Sequence, residues 1–180
     1  MGYAGGDHEN PTYRDLGDQT ECFQVEFDPT VISYAELVDI AIASNGSPDG
    51  QYANLVLAHD EEQLTIARER AQAQAEDRGK PTTARIELLK RFWPAEDYHQ
   101  KYYLRGDRVL VGQLQAMFGA DEVALRESTL AMRLNGYASG GGTAGQLATE
   151  IDSFGLSAEA RAHLLSLVGD ATGAEACPVP

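Results

Sequence analysis

The feature that most constrains this chain is the switching of its hydrophobic period between residues 22 and 90. From Cys22, the residues Phe23, Val25 and Phe27 alternate with Gln24 and Glu26, the period of a half-buried strand, and Asp28-Pro29 closes the run. Ser33 and Glu36 then form a capping box, and Leu37, Ile40 and Ala41 return at helical spacing as far as Asn45-Gly46. After a loop over residues 46–50, residues 52–58 carry Leu55, Val56 and Leu57, a second strand. Asp60 caps a long helix through residue 77, which Gly79 and Pro81 end, and residues 83–90 supply a third strand. Strand, helix, strand, helix, strand in succession favour a mixed sheet covered by helices.

The flanks are of a different kind. Residues 1–19 are rich in Gly, Asp, Asn and Pro without a usable period, which predicts an irregular surface loop. Beyond Pro94 the chain is expected to be helical in pieces, over residues 95–103, 107–118 and 121–134. Gly140-Gly141-Gly142 makes a flexible break. Leu147, Ile151, Phe154, Leu156, Leu164, Leu165 and Leu167 then suit a helical hairpin, followed by a loose tail over residues 173–180.

Charge and cysteine content narrow the function classes. Acidic residues outnumber basic ones 28 to 14, for a formal charge of -14. That field repels a nucleic-acid backbone or an anionic membrane, so neither is an expected partner. No apolar run reaches the roughly 18 to 20 residues of a membrane-spanning helix, and Met1 leads into Gly2 without a signal-peptide pattern, so the expected address is the cytosol. Two cysteines, Cys22 and Cys177, are too few for a disulfide framework, and His8, His59 and His163 have no matching ligand pair for a metal. Any redox role is transient.

A set of ordered motifs gives the chain a family. Gly2-Tyr3-Ala4-Gly5-Gly6, Asn10-Pro11-Thr12-Tyr13, Gly17-Asp18-Gln19-Thr20-Glu21, Val25-Glu26-Phe27-Asp28-Pro29, Ile32-Ser33-Tyr34 and the block from Pro94-Ala95-Glu96 to Tyr98-His99-Gln100-Lys101-Tyr102 follow one another. This series resembles the successive landmarks of the A-type methionine sulfoxide reductases. Arg133-Leu134-Asn135-Gly136-Tyr137 is similar to an extension found in some members, so the resemblance covers residues 2–137. It implies an α+β, two-layer ferredoxin-like fold, with a mixed sheet covered by helices and a helical C-terminal extension. The expected division is a catalytic-type domain with its extension over residues 1–137, then a linker, hairpin and tail over residues 138–180.

The chemistry that the resemblance implies matches what the reaction needs. Reducing a sulfoxide calls for a soft nucleophile at sulfur, an acid at oxygen, and donors that polarise the S–O bond. In the family a cysteine thiolate attacks, a glutamic acid protonates the oxygen, and two tyrosine hydroxyls with an aspartate-linked network hold it. A second cysteine then forms a disulfide, which thioredoxin, or dithiothreitol in the test tube, reduces without a bound cofactor. Carried over by motif, Glu21 is the acid and Tyr13 one of the hydroxyls, while Asp49 and Tyr52 lie in a contracted form of the segment that supplies the aspartate and second tyrosine. Ala53 stands where the family has an arginine. Tyr98, His99 and Gln100 form a further polar cluster, read either as site lining or as helix packing.

The family's nucleophile lies in a glycine-cysteine-phenylalanine-tryptophan motif before the Gly2-Tyr3 landmark, and here Met1 directly precedes that landmark. The expectation is therefore a chain without its nucleophile, first strand and first helix, and inactive by itself. Cys22 alternates away from Glu21 and reads as an inert buried thiol, whereas Cys177, in the tail, is the candidate resolving thiol. A start assigned too late would account for the terminus. It would not account for Ala41-Ile42 and Asn45-Gly46, which replace the family's aromatic pair and its histidine-aspartate-proline step. The alternative is a non-catalytic relative that acts as a binding or interaction module.

Overall fold

The computed structural model describes residues 1–43, 47 and 49–171. Its class is α+β, with small sheets and many helices. The chain forms two compact units, Met1–Glu96 and Asp97–Pro180. Among the described residues, no helix is long and apolar enough to cross a membrane.

Among the described residues, unit 1 holds all the strands. A three-stranded antiparallel sheet runs in the order β2-β1-β5, with β1 at Gly2–Ala4, β2 at Thr20–Cys22 and β5 at Trp93–Pro94. A separate parallel pair is formed by β3, Leu55–Ala58, and β4, Arg85–Leu88. The helix α2, Glu61–Arg78, connects β3 to β4, as a parallel pair requires, and α1 spans Tyr34–Ala43. Val38 and Ile42, one turn apart on α1, pack with Val56, Ala67 and Ala71 into the core of this unit.

Local signals fix the helix ends. The Ser33 and Glu36 capping box forms in both directions, with the Glu36 N–H on Ser33 Oγ at 3.2 Å and the Ser33 N–H on the Glu36 carboxylate at 2.8 Å. Asp60 accepts from the Gln63 N–H at 2.8 Å, and Gly79 closes α2 at φ +63°, a conformation that suits glycine. The Asn45-Gly46 stop lies outside the described residues.

Several expected elements differ. Residues 2–4, expected within an irregular surface loop, form the buried central strand β1, because strands on both sides supply it with partners. The alternating run 22–27 is a strand only as far as Cys22, because β1 offers no partner beyond the Gly2 to Cys22 pair. Residues 23–27 are left without a ladder, and Phe23 is 72 % exposed. The expected helix over residues 121–134 is two, α5 at Glu122–Glu127 and α6 at Thr129–Ala138, because Ser128 adopts an extended conformation and caps α6 through the Ala131 N–H at 3.1 Å.

Unit 2 is helical. A 3-10 turn at Asp97–His99 and α3 at Tyr102–Gly106 lead to α4 at Arg108–Phe118; α7 at Ala144–Glu150 and α8 at Ala158–Ala171 follow α6. Leu104, Leu110, Leu114, Leu134, Leu147 and Leu164, all fully buried, form its core. The Gly140-Gly141-Gly142 run lies inside this unit, between α6 and α7. Asp107 caps α4 by accepting from the N–H groups of Val109 and Leu110 at 3.0 Å each, and its second oxygen meets His163 Nε2 of α8 at 2.6 Å. Of the polar cluster, Gln100 is buried, whereas Tyr98 is exposed and packs on the His99 ring at 4.2 Å.

Candidate functional site

The site is built on β1 and β2. Tyr3 pairs with Glu21 on one side and with Trp93 on the other, so the pleat sends Tyr3, Glu21 and Trp93 to one face of the sheet, and Gly2, Cys22 and Pro94 to the other. The loop of residues 5–19 joins β1 to β2; it makes few backbone ladder bonds and is instead tied by side chains. The Asp18 carboxylate accepts from the N–H of Asp7 at 2.9 Å and of His8 at 2.9 Å, and these donors hold its carboxyl below the usual range. The buried Gln19 accepts from the Gly6 N–H at 3.0 Å and donates to the His8 carbonyl at 2.7 Å. Gly6 allows this closeness, because a Cβ there would collide with Asp18.

Glu96 makes the third tie. One carboxylate oxygen accepts from the hydroxyl of buried Tyr3 at 2.7 Å, and the other accepts from the backbone N–H of Tyr13 at 3.1 Å. A second loop, residues 49–53, docks on β2 from the other direction. The Glu21 N–H donates to the Gln51 carbonyl at 2.9 Å, the Gln51 side-chain amide donates back to the Glu21 carboxylate, and the Thr20 hydroxyl donates to the Gly50 carbonyl at 3.1 Å.

Three of the residues singled out from sequence thereby meet. Tyr52 lies beside Glu21 and is hydrogen-bonded to Tyr13, and all three are accessible to solvent. The Glu21 carboxylate, followed by Tyr13, pushes the Tyr52 phenol above its ordinary value, so the hydroxyl keeps its proton and can donate. Asp49 does not join them. It is exposed, its N–H reaches Ser47 Oγ at 3.4 Å, and among the described residues no hydrogen bond links its carboxylate to Glu21, Tyr13 or Tyr52. Cys177 lies outside the described residues.

Cys22 occupies the far face of the sheet. Its thiol approaches the Gly2 carbonyl at 3.7 Å, and burial, reinforced by the Glu21 carboxylate, pushes it up to about 11. A thiol so placed is neutral at physiological pH and a poor nucleophile. Among the described residues no group of three or more His, Cys, Asp and Glu side chains is arranged to hold a metal ion.

A family model described as "Peptide methionine sulfoxide reductase" matches residues 1–127. The chain belongs to this family. Among relatives in the reductase family, a Drosophila melanogaster peptide methionine sulfoxide reductase is 39 % identical over 172 residues, which cover 91 % of this chain and 67 % of that protein. The A5 protein of Arabidopsis thaliana is 37 % identical, over 77 % of this chain and 57 % of its own length. MsrA of Ligilactobacillus salivarius is 42 % identical over 57 % of this chain and 68 % of its own. This chain therefore spans about two thirds of the fly reductase and less than three fifths of the plant one. The crystal structure of Mxr1 from Saccharomyces cerevisiae in reduced form aligns with 59 % of this chain and 68 % of its own, at 28 % identity and a TM-score of 0.49.

Sequence reasoning missed Glu96, Gln51, Asp18 and Gln19 as individual residues. Glu96, Asp18 and Gln19 stand inside the motif blocks, and Gln51 lies in the contracted segment between Asp49 and Tyr52. Their partners lie up to 93 residues away, however, and no local pattern assigns such a bond.

Proposed function

We propose that this chain carries the oxygen-side half of a methionine sulfoxide reductase site, for methionine-S-sulfoxide free or within proteins. The observation that supports this most is the meeting of Glu21, Tyr13 and Tyr52 on a family-matched unit. As a thiolate attacks the substrate sulfur, Glu21 gives a proton to the oxygen, while Tyr13 and Tyr52 donate hydrogen bonds to it as negative charge develops there. The oxygen leaves methionine and ends on the attacking cysteine as a sulfenic acid. A second thiol condenses with that acid to a disulfide, releasing water, and the dithiol of thioredoxin returns the disulfide to two thiols. A cytoplasmic setting fits that reductant.

The attacking thiolate is a cysteine other than Cys22, whose thiol is held neutral on the opposite face of β2. The 180-residue chain alone therefore turns over little, and Cys177 is assigned the resolving step. The test is a nuclear magnetic resonance titration of the chain with the two epimers of N-acetyl-methionine sulfoxide amide, alongside turnover with dithiothreitol. Expected are shifts at Tyr13, Glu21 and Tyr52, larger for the S epimer, and background turnover that Cys22→Ser leaves unchanged. Shifts confined to other residues, or a sulfoxide reduction that Cys22→Ser abolishes, would overturn the reading.

A further inference from the structure

Tyr13 sits on a loop with little backbone pairing of its own, the Thr12 and Asp15 bridge being a turn inside that loop. A phenol that has to meet a small sulfoxide oxygen needs its backbone held to within a fraction of an ångström, because misplaced donors lose most of their effect on a developing charge. The backbone N–H of Tyr13 is held by a carboxylate 83 residues away in the chain, that of Glu96 at 3.1 Å. The same carboxylate is fixed in turn by the Tyr3 hydroxyl at 2.7 Å. Tyr3 is 1 % exposed and stands directly opposite Glu21 in the β1-β2 register. One side chain thus refers the position of Tyr13 to the strand pair that carries Glu21.

We infer that Glu96 is a positioning residue for the sulfoxide site: through its two oxygens it sets the Tyr13 hydroxyl against Glu21 and Tyr52. It does not touch the reacting atoms. The ionised form is the one the geometry uses, since both oxygens accept, and a glutamine in its place accepts through one oxygen and turns an amide to the other donor. This inference rests on the sulfoxide-site reading above.

The experiment uses the full chain, the S epimer of N-acetyl-methionine sulfoxide amide as probe, and the variants Glu96→Gln, Tyr13→Phe and their double. In Glu96→Gln the Kd for the probe is expected to rise about tenfold, the scale of a lost charge-assisted hydrogen bond, with the melting temperature nearly unchanged. The double variant is expected to bind no more weakly than Tyr13→Phe, because Glu96 acts through Tyr13. An independent signature is the Tyr13 amide proton, whose resonance is expected to follow the protonation of a carboxylate in the unaltered chain and to lose that response in Glu96→Gln. If Glu96→Gln does not fold, Tyr3→Phe, which frees one oxygen of the same carboxylate, is expected to weaken probe binding in the same direction. Binding within about twofold of the unaltered chain in whichever variant folds, or effects of Glu96→Gln and Tyr13→Phe that simply multiply, would overturn the assignment. Absence of probe binding by the unaltered chain sinks the sulfoxide reading and this assignment with it, whereas binding that survives Glu96→Gln sinks this assignment alone.

Discussion

Glu21 and Cys22 are adjacent in one short strand, yet the pleat gives them opposite environments. Glu21 faces two accessible tyrosines, while Cys22 is held against the Gly2 carbonyl with its thiol pushed up to about 11. At pH 8 such a thiol is ionised about a hundredfold less often than one at its ordinary value, so Cys22 is expected to react with iodoacetamide about a hundredfold more slowly than a free cysteine. Site-resolved mass spectrometry checks this, and denaturant is expected to abolish the protection. The raised value also sets a direction for stability. Its contribution is complete below the unfolded value, near 9.0, and is lost as pH rises through about 11. At this scale the sequence is legible where a motif is local. Tyr13 and Glu21, singled out by their motif blocks alone, stand together around Tyr52, and Cys22 lies on the face that its alternation away from Glu21 assigns. Asp49 is not resolved so simply, because its loop is contracted and, among the described residues, no hydrogen bond links its carboxylate to Glu21, Tyr13 or Tyr52.

Helix ends are the most legible elements. The Ser33 and Glu36 box, the Asp60 cap and the Gly79 stop all follow from chemistry within one turn of the chain. The strand over residues 22–27 fails because alternation reports a face and not a partner, and the ladder ends at Gly2. Asp107 shows what a local signal leaves out. A cap at that position is readable, but its bond to His163, 56 residues on, is not. Burial works against the ionised form of Asp107, yet the Leu110 N–H, His163 and the Val109 N–H together hold its carboxyl below the usual range. Its contribution is therefore full above the ordinary carboxylate range and is lost as pH falls through the lowered value. Asp107→Ala is expected to destabilise unit 2 by about 1–2 kcal/mol near neutral pH, with a smaller loss for Asp107→Asn, which keeps a capping oxygen. Urea melts of both variants followed at several pH values test this, and a neutral-pH cost for Asp107→Ala no larger than at pH 2 would contradict it.

For the molecule as a whole, two opposing terms act on its behaviour in solution. A formal charge of -14 keeps copies apart, while Phe23 at 72 % and Val25 at 44 % exposure stand on a stretch without a strand partner, beside a shallow groove lined by Leu55, Leu57, Leu89 and Phe92. Salt screens the first term and leaves the second intact. Self-association is therefore expected to increase as sodium chloride is raised, and Phe23→Ser with Val25→Thr is expected to suppress it. Sedimentation velocity at low and high salt measures both, and equal masses throughout would count against the argument. An alternation of strands and helices was readable from the succession of periods and the α+β class from the family resemblance, but the distribution of strands over two sheets was not, since it depends on pairings between distant residues.

The two sheets of unit 1 also close over very different lengths of chain. The β3-β4 pair and its helix are consecutive, with a loop closed within α2, whereas β1 meets β5 only when residue 93 returns to residue 3. Contacts of long sequence separation form late, because the chain entropy they cost is not offset until neighbouring structure exists. The parallel pair with α1 and α2 is thus expected to acquire protection from hydrogen exchange before Tyr3 does in a refolding pulse-labelling experiment. The face that brings Glu21, Tyr13 and Tyr52 together is then the last part of its unit to be made and, by the same ordering, the first that a destabilised chain gives up.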